Sequence, residues 1–374
     1  MSLEAKALTV ILVTLVAGVS IRCFLRLAIA KGFVADSSMV ERNLAPALVP
    51  YLAGPAVFVV LLPVLVVLAT VVPTGPHDHP GTRWICTACV LAIGLVDDLR
   101  PLTVIEKTLA LLGLCTAYLV VSSTDPFDFV RFGLELGFLF VIVNAFNLVD
   151  VTDGLLIVVS SLAAIGLLGG SFLTSPLNRI ECIVLLGTLF AAYRFNRPPA
   201  RIYMGDAGAL PLGFFLATLY LGGYSESTYP DGLAHIGAFA IPLFELMLIA
   251  PARIRRGLSP FRGSPDHFAL RLHEQAGWSK KRVLATSATL GGFFGVWCFV
   301  PSRLLRGPVG VGLAVAAALV GATTFVYCWR LVPPQPVRPP EPPFRNHSTS
   351  ARSRSTPHAS GSVARRHPLA RYLR

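Results

Sequence analysis

Residues 144–155, N-A-F-N-L-V-D-V-T-D-G-L, close an almost purely apolar run with two amides, Asn144 and Asn147, and two carboxylates, Asp150 and Asp153. A carboxylate at the edge of lipid costs about 2.5–3.5 kcal/mol on insertion scales if it faces the bilayer. These acids must therefore face protein or water. Residues 147, 150 and 153 are three apart, so on a helix or helical turn their side chains drift slowly around one face. The stretch predicts a membrane helix ending in a wall of oxygen and amide groups that converge on one pocket.

The rest of the chain supports that setting. It has 374 residues, 54% of them hydrophobic and only 14% charged, with a mean hydropathy of +0.66, far too apolar for a soluble domain of this length. The net charge is +12, but the segment from residue 333 onward holds eight arginines against Glu341 alone, leaving 24 basic against 19 acidic residues in the body. That modest excess suits loops beside anionic lipid; nucleic-acid binding would require a continuous basic face. The seven cysteines have no disulfide-framework spacing and read mostly as small buried residues. Cys86 and Cys89 form C-x-x-C near His77 and His79, but two small residues in a helix explain the pair better than zinc, which needs four ligands around one point.

A spanning helix needs about 20 mostly apolar residues. Eleven such runs are expected, near 5–30, 47–72, 84–96, 104–122, 132–149, 154–174, 180–195, 207–223, 235–252, 283–302 and 308–331, giving an all-α polytopic bundle. The third is short, and the fifth and sixth are nearly continuous. The N-terminal run lacks a small-residue cleavage site and reads as a first span. Successive spans cross in opposite directions, and the connections after the odd-numbered spans are much the richer in Arg and Lys. The positive-inside rule assigns them to the cytoplasm, with the N-terminus outside. The Pro-, Ser- and Arg-rich segment 333–374 cannot bury enough surface to fold and reads as a disordered cytoplasmic tail beyond a membrane domain of residues 1–332.

Asp97, Asp98, Asp150, Asp153 and Asp206 all fall in the connections assigned to the cytoplasm. Five acids from three separated segments would thus meet at one end of the bundle. Crowded carboxylates repel, which a divalent cation relieves; hard oxygen donors with few histidines favour magnesium or manganese over zinc. In G-L-V-D-D-L-R (94–100), adjacent aspartates stand at a membrane exit, with Lys107 following. Neighbouring helical side chains diverge by about 100°, so one can bind metal while the other holds or deprotonates a second group. In F-N-R-P-P-A-R-I-Y-M-G-D-A-G-A (195–209), Asp206 lies between glycines that allow close backbone approach to an ion or phosphate; the plain alternative is a helix cap. R-I-R-R-G-L-S-P-F-R-G-S-P-D-H-F-A-L-R-L (253–272) offers arginines and His267 suited to diphosphate recognition, though most of the arginines individually read as positive-inside residues.

These motifs, in this order, resemble the polyprenyl-phosphate N-acetylhexosamine-1-phosphate transferases of glycosyltransferase family 4. The resemblance covers about residues 30–285 and is closer to the bacterial undecaprenyl-phosphate GlcNAc-1-phosphate transferase branch than to the phospho-MurNAc-pentapeptide translocase. It implies transfer of a sugar-1-phosphate from a UDP-sugar to polyprenyl phosphate, releasing UMP, in the cell inner membrane. By that resemblance Asp206 binds magnesium and Asp97 orients or deprotonates the lipid phosphate. Asp98 supports metal or phosphate binding. Asn147, Asp150 and Asp153 line the nucleotide-sugar pocket, with Lys107, Asn196, Tyr203 and His267 at further substrate positions. The implied partners are the UDP-sugar donor, the lipid acceptor and the membrane, with a homodimer as the candidate assembly and no nucleic acid. Two departures stand out. Asn43 and Ala45 replace a Lys and a His of the family in the loop after the first span, which keeps Arg42, Pro50 and Gly54, and the family's histidine-rich motif is reduced to Asp266-His267-Phe268. Both remove contacts to the donor diphosphate. Two rivals remain: an ion-coupled transporter, which predicts acids near mid-span, and a paralogue that binds the lipid-linked sugar without turning it over.

Overall fold

The computed structural model describes residues 3–36, 48–75, 78–123, 128–170, 172–226, 232, 234–255, 257, 266–300 and 308–331. The tail from 333, Arg42, Asn43, Ala45, His77 and most of the loop 256–265 lie outside them. The described residues form eleven longer helices, α1 (Leu3–Lys31), α2 (Ala53–Leu68), α3 (Pro80–Leu99), α4 (Val104–Ser122), α5 (Phe129–Val149), α6 (Leu155–Leu167), α7 (Pro176–Asn196), α8 (Asp206–Glu226), α9 (Ala240–Arg255), α10 (Lys280–Gly295) and α11 (Pro308–Arg330). Each coincides with one expected run. Seven helical stretches, those of α1, α4, α5, α7, α8, α9 and α10, are long and apolar enough to cross a membrane, and shorter apolar helices span Ala53–Leu68, Leu155–Leu167 and Val315–Arg330. The protein is a multi-pass membrane protein of the all-α class.

Several boundaries differ from expectation. Residues expected to begin the second span pair instead as strand β2 (Leu48–Pro50), antiparallel to β1 (Val34–Asp36), because Val49 and Pro50 suit an extended ladder and helix α2 starts only beyond them. The third helix is longer than expected, since Pro80 opens it a turn early. The sixth ends at Leu167. Helix starts follow local chemistry: Thr103 and Glu106 form a reciprocal capping box on α4, Asp128 caps α5 and Ser175 caps α7. Five of the seven cysteines are buried and all are free.

Helix α8 is the hub. It packs most extensively against α3 and α5, with α2 and α6 also against it, and most of its length is buried. Small residues allow this. A β-carbon on Gly94 of α3 would lie 2.4 Å from the Asp206 carbonyl oxygen, and one on Gly54 of α2 would lie 2.4 Å from the Gly208 amide nitrogen, so both helices touch α8 backbone to backbone. At the far end of α3, Arg83 (1% exposed) pairs with Glu181 of α7 at 3.0 Å and donates to Asn178 at 2.6 Å, while Trp84 donates to Glu181 at 2.9 Å.

Candidate active site

The α3–α4 turn, the start of α8 and the end of α5 meet at one end of the bundle. Asp97 closes α3 and accepts a hydrogen bond from the Leu102 amide at 2.6 Å. Its other oxygen lies 2.9 Å from Lys107 Nζ, one turn into α4. The same ammonium pairs with Asp206 at the first position of α8. Asn147, in the last turn of α5, donates to the second Asp206 oxygen at 2.6 Å. Two carboxylates from separate helices thus converge on one cationic atom, with an amide fixing the second.

Asp98 is used differently. Its two oxygens accept from the backbone amides of Asp206 (2.9 Å) and Ala207 (3.0 Å), so it caps α8 from a neighbouring helix and satisfies two of the amides a helix start leaves unpaired. Gly205 is required here: its φ is +68° and a β-carbon would lie 2.5 Å from Asp98 Oδ2. Burial, opposed by those two amide bonds and reinforced by the Asp206 and Asp97 charges, pushes the Asp98 carboxyl up to about 6. Asp150 sits just past α5. Burial, together with the charges of Asp206 and Asp98 and offset in part by the Gly205 amide, raises it to about 8.

The stretch 144–155 does not form one continuous wall. Asn144 donates back to Phe140 of its own helix at 2.8 Å. The helix ends at Val149, with Asp150 at its C-cap, and the turn that follows sends Asp153 elsewhere: it is 5% exposed, accepts from the Ala200 amide at 3.1 Å and lies 3.4 Å from Lys280 of α10. Asn196 is 2% exposed; it accepts from the Gly154 amide at 2.9 Å and donates to the Ile202 carbonyl at 2.8 Å. Both residues therefore hold the 150–154 turn against the 197–202 loop, and their bonds within the described residues are to protein groups.

Tyr203 bridges to the ribbon after α1: its amide donates to Pro50 at 2.8 Å and its carbonyl accepts from Ala53 at 3.1 Å. That bridge puts Tyr51 beside Asp98, and burial followed by the Asp98 charge raises the Tyr51 phenol above its ordinary value. Leu52, next along, has φ +118° and is the sole non-glycine residue with positive φ among the described residues, a strained position of the kind that clusters at functional sites. His267 is not brought to the acids. Its Nδ1 lies 2.7 Å from Glu245 Oε1 of α9, and the Phe268 amide donates to the other Glu245 oxygen at 3.2 Å. Sequence reasoning overlooked Glu245, which is fully buried; an isolated acid inside an apolar run was the available signal. Glu245 apart, the acids gathered here lie at helix ends, unlike the mid-span acids of a transporter.

The donor chemistry of Asp97 and Asp206 suits a hard cation, and Lys107 Nζ already stands where their oxygens meet. Asp98 fits that role less well, because both of its oxygens cap the start of α8, whereas Asp97 and Asp206 each turn one oxygen to the Lys107 ammonium, where a cation could take its place. Among the described residues, no group of three or more His, Cys, Asp or Glu could hold a metal by itself, so a cation here would take further ligands from substrate or water.

Residues 82–224 match the glycosyl transferase family 4 model. The matched segment runs from the start of α3 to the end of α8 and contains every carboxylate of the cluster. A probable undecaprenyl-phosphate N-acetylglucosaminyl 1-phosphate transferase of Bacillus subtilis is 29% identical over 251 residues, which cover 61% of this chain and 66% of that protein. Phospho-N-acetylmuramoyl-pentapeptide-transferases of Staphylococcus epidermidis and Staphylococcus aureus are 29% identical over 236 residues, 55% of this chain and 71% of theirs. The chain thus spans just under two thirds of the Bacillus relative. The resemblance drawn from the motifs holds at the family level, and both branches stand at equal identity.

Proposed function

We propose that the protein transfers a HexNAc-1-phosphate, GlcNAc-1-phosphate in the first instance, from a UDP-sugar to a polyprenyl phosphate at the cytoplasmic face, releasing UMP and initiating a cell-surface glycan. The observation that carries this reading is the convergence of Asp97 and Asp206 on Lys107, steadied by Asn147. An oxygen of the lipid phosphate attacks the sugar-bearing phosphorus of the donor; the bond from that phosphorus to the bridging oxygen breaks, and UMP leaves with the electron pair. Asp97 orients the lipid phosphate and takes its proton where one is present. Lys107 offsets negative charge as the two phosphates approach. Asp206 would hold magnesium, or manganese, together with oxygens of the substrates, and the cation polarises the phosphoryl oxygens when bound. Asp150 and Tyr203 line the donor side, while Asp98, Asp153 and Asn196 fix the backbone that carries them.

A phospho-MurNAc-pentapeptide donor is the second reading, favoured by the staphylococcal relatives at the same identity. Purified protein, polyprenyl phosphate, magnesium and a panel of radiolabelled UDP-sugars separate the two by which sugar reaches the lipid. UMP release from the wild type that requires magnesium and is lost in Asp206→Asn is the expected result. Full magnesium-dependent release by Asp206→Asn would remove the metal assignment, and product from none of the sugars would remove the reaction.

A further inference from the structure

Two clefts in the described residues are lined by none of the carboxylates gathered at α8. The first, of about 460 Å³, is an apolar groove between α1, α6 and α7, floored by residues such as Leu162, Leu186 and Phe190. The second, of about 720 Å³, lies at the end of α7 against α10 and is lined by Arg194, Arg197, Arg201 and Lys281 with no acidic residue among its walls. Val158 and Tyr193 line both, so the two clefts adjoin along the α6–α7 face and make a depression with an apolar part and a cationic part.

We propose that this depression seats one anionic glycerophospholipid, its phosphate among the four cations and an acyl chain along the apolar groove. The dimensions suit that occupant. Leu186 to the end of α7 at Asn196 is about 15 Å of helix rise, the depth of one leaflet of a hydrocarbon core about 30 Å thick. The charge pattern suits it too. Arg194, Arg197 and Lys281 are exposed, and Arg201 stacks over the Phe195 ring at 5.7 Å. Basic pockets between spanning helices recognise lipid phosphates in this way, and arginine forks match a phosphodiester. The site also has a structural reach: Ala200 and Lys280, next in sequence to Arg201 and Lys281, are the residues that hold Asp153. A lipid bound here braces the clamp on the 150–154 turn without entering the acidic cluster.

Native mass spectrometry of the full-length protein, released from micelles doped with phosphatidylglycerol or with phosphatidylcholine of the same chains, tests this. One phosphatidylglycerol is expected to stay bound while phosphatidylcholine does not. Retention should fall by about tenfold or more in the Arg194→Gln/Arg197→Gln/Lys281→Gln protein. It should fall also in Val158→Trp, which leaves the cations but fills the junction. Arg22→Gln/Arg26→Gln, which removes two exposed cations of α1 outside the depression, should retain the lipid as the wild type does. Equal retention of the two lipids, or retention unchanged in the triple variant or in Val158→Trp, overturns the proposal. So does displacement of the lipid by soluble glycerol phosphate at comparable concentration, which marks a bare anion site, or by polyprenyl phosphate in preference to phosphatidylglycerol, which marks an acceptor site.

Discussion

Replacing Gly94 by alanine adds one methyl group at one of the two closest helix contacts of α8. Its β-carbon would stand 2.4 Å from the Asp206 carbonyl oxygen and 2.6 Å from the Ala207 nitrogen. Ordinary contact begins near ~3.4 Å, so the start of α8 must retreat by about 1 Å, and backbone cannot rotate aside as a side chain can. The retreat lengthens the Asp98 bonds to the Asp206 and Ala207 amides, now 2.9 and 3.0 Å, towards the limit of useful hydrogen bonding, and it draws Asp206 away from Asn147 and Lys107. Overpacking costs about 1–3 kcal/mol of stability, and a 1 Å misplacement of a reacting group costs on the order of 10²-fold in rate. Gly113→Ala on α4 is the control, since nothing lies within 4 Å of its β-carbon and alanine is the better helix former. Thermal unfolding in detergent and initial rates of lipid-linked product should show Gly94→Ala impaired in both and Gly113→Ala unchanged. A Gly94→Ala protein with wild-type melting and wild-type rate would refute the claim that backbone contact between α3 and α8 sets the site.

Asp98→Asn should lower the melting temperature equally with EDTA and with magnesium, by the equivalent of about 1.5–3 kcal/mol for weakened bonds to a charged acceptor; a loss seen only with magnesium would make Asp98 a ligand instead of a cap. Asn196→Ala leaves the Gly154 amide and the Ile202 carbonyl unpaired in a buried site and should cost roughly 2–4 kcal/mol, read as a lowered urea midpoint or melting temperature. Asp150 is raised to about 8 in the fold, so the folded state binds the extra proton. Its contribution is full below the unfolded value near ~4 and is lost as pH rises towards and through 8. In EDTA the melting temperature should decline across that window, and Asp150→Asn should flatten the decline; an unaltered slope would contradict the shift.

The helices were legible because apolar runs of spanning length have few other uses, and the acids were legible because charge at such helix ends demands an explanation. Which acid does what was not. Asp97 and Asp98 are adjacent in sequence, yet one faces Lys107 and the other two backbone amides, a difference set by the approach of α8 to Gly94. Asp153 reads as a neighbour of Asp150 at helical spacing, but α5 ends at Val149 and the turn rotates Asp153 towards Ala200 and Lys280. Asn196 carries no mark that separates a substrate amide from a structural one; its two partners lie in a turn and a loop fixed only by tertiary packing. Glu245 and His267, 22 residues apart, meet where the His267 ring and the Phe268 amide each take one Glu245 oxygen, a contact set by tertiary packing.

The Arg83–Glu181 pair at the far end of α3 has a mechanical meaning. With its buried charges locked to α7 there and Asp98 gripping α8 at the other end, α3 is a strut fixed at both ends across the bundle. Neither attachment is cheap to break: parting Arg83 from Glu181 leaves a buried charge without its partner, and freeing Asp98 leaves two helix-start amides unpaired. The spacing between the carboxylates of α3 and α8 is therefore a property of the frame, inherited by every encounter with a ligand and not rebuilt at each one.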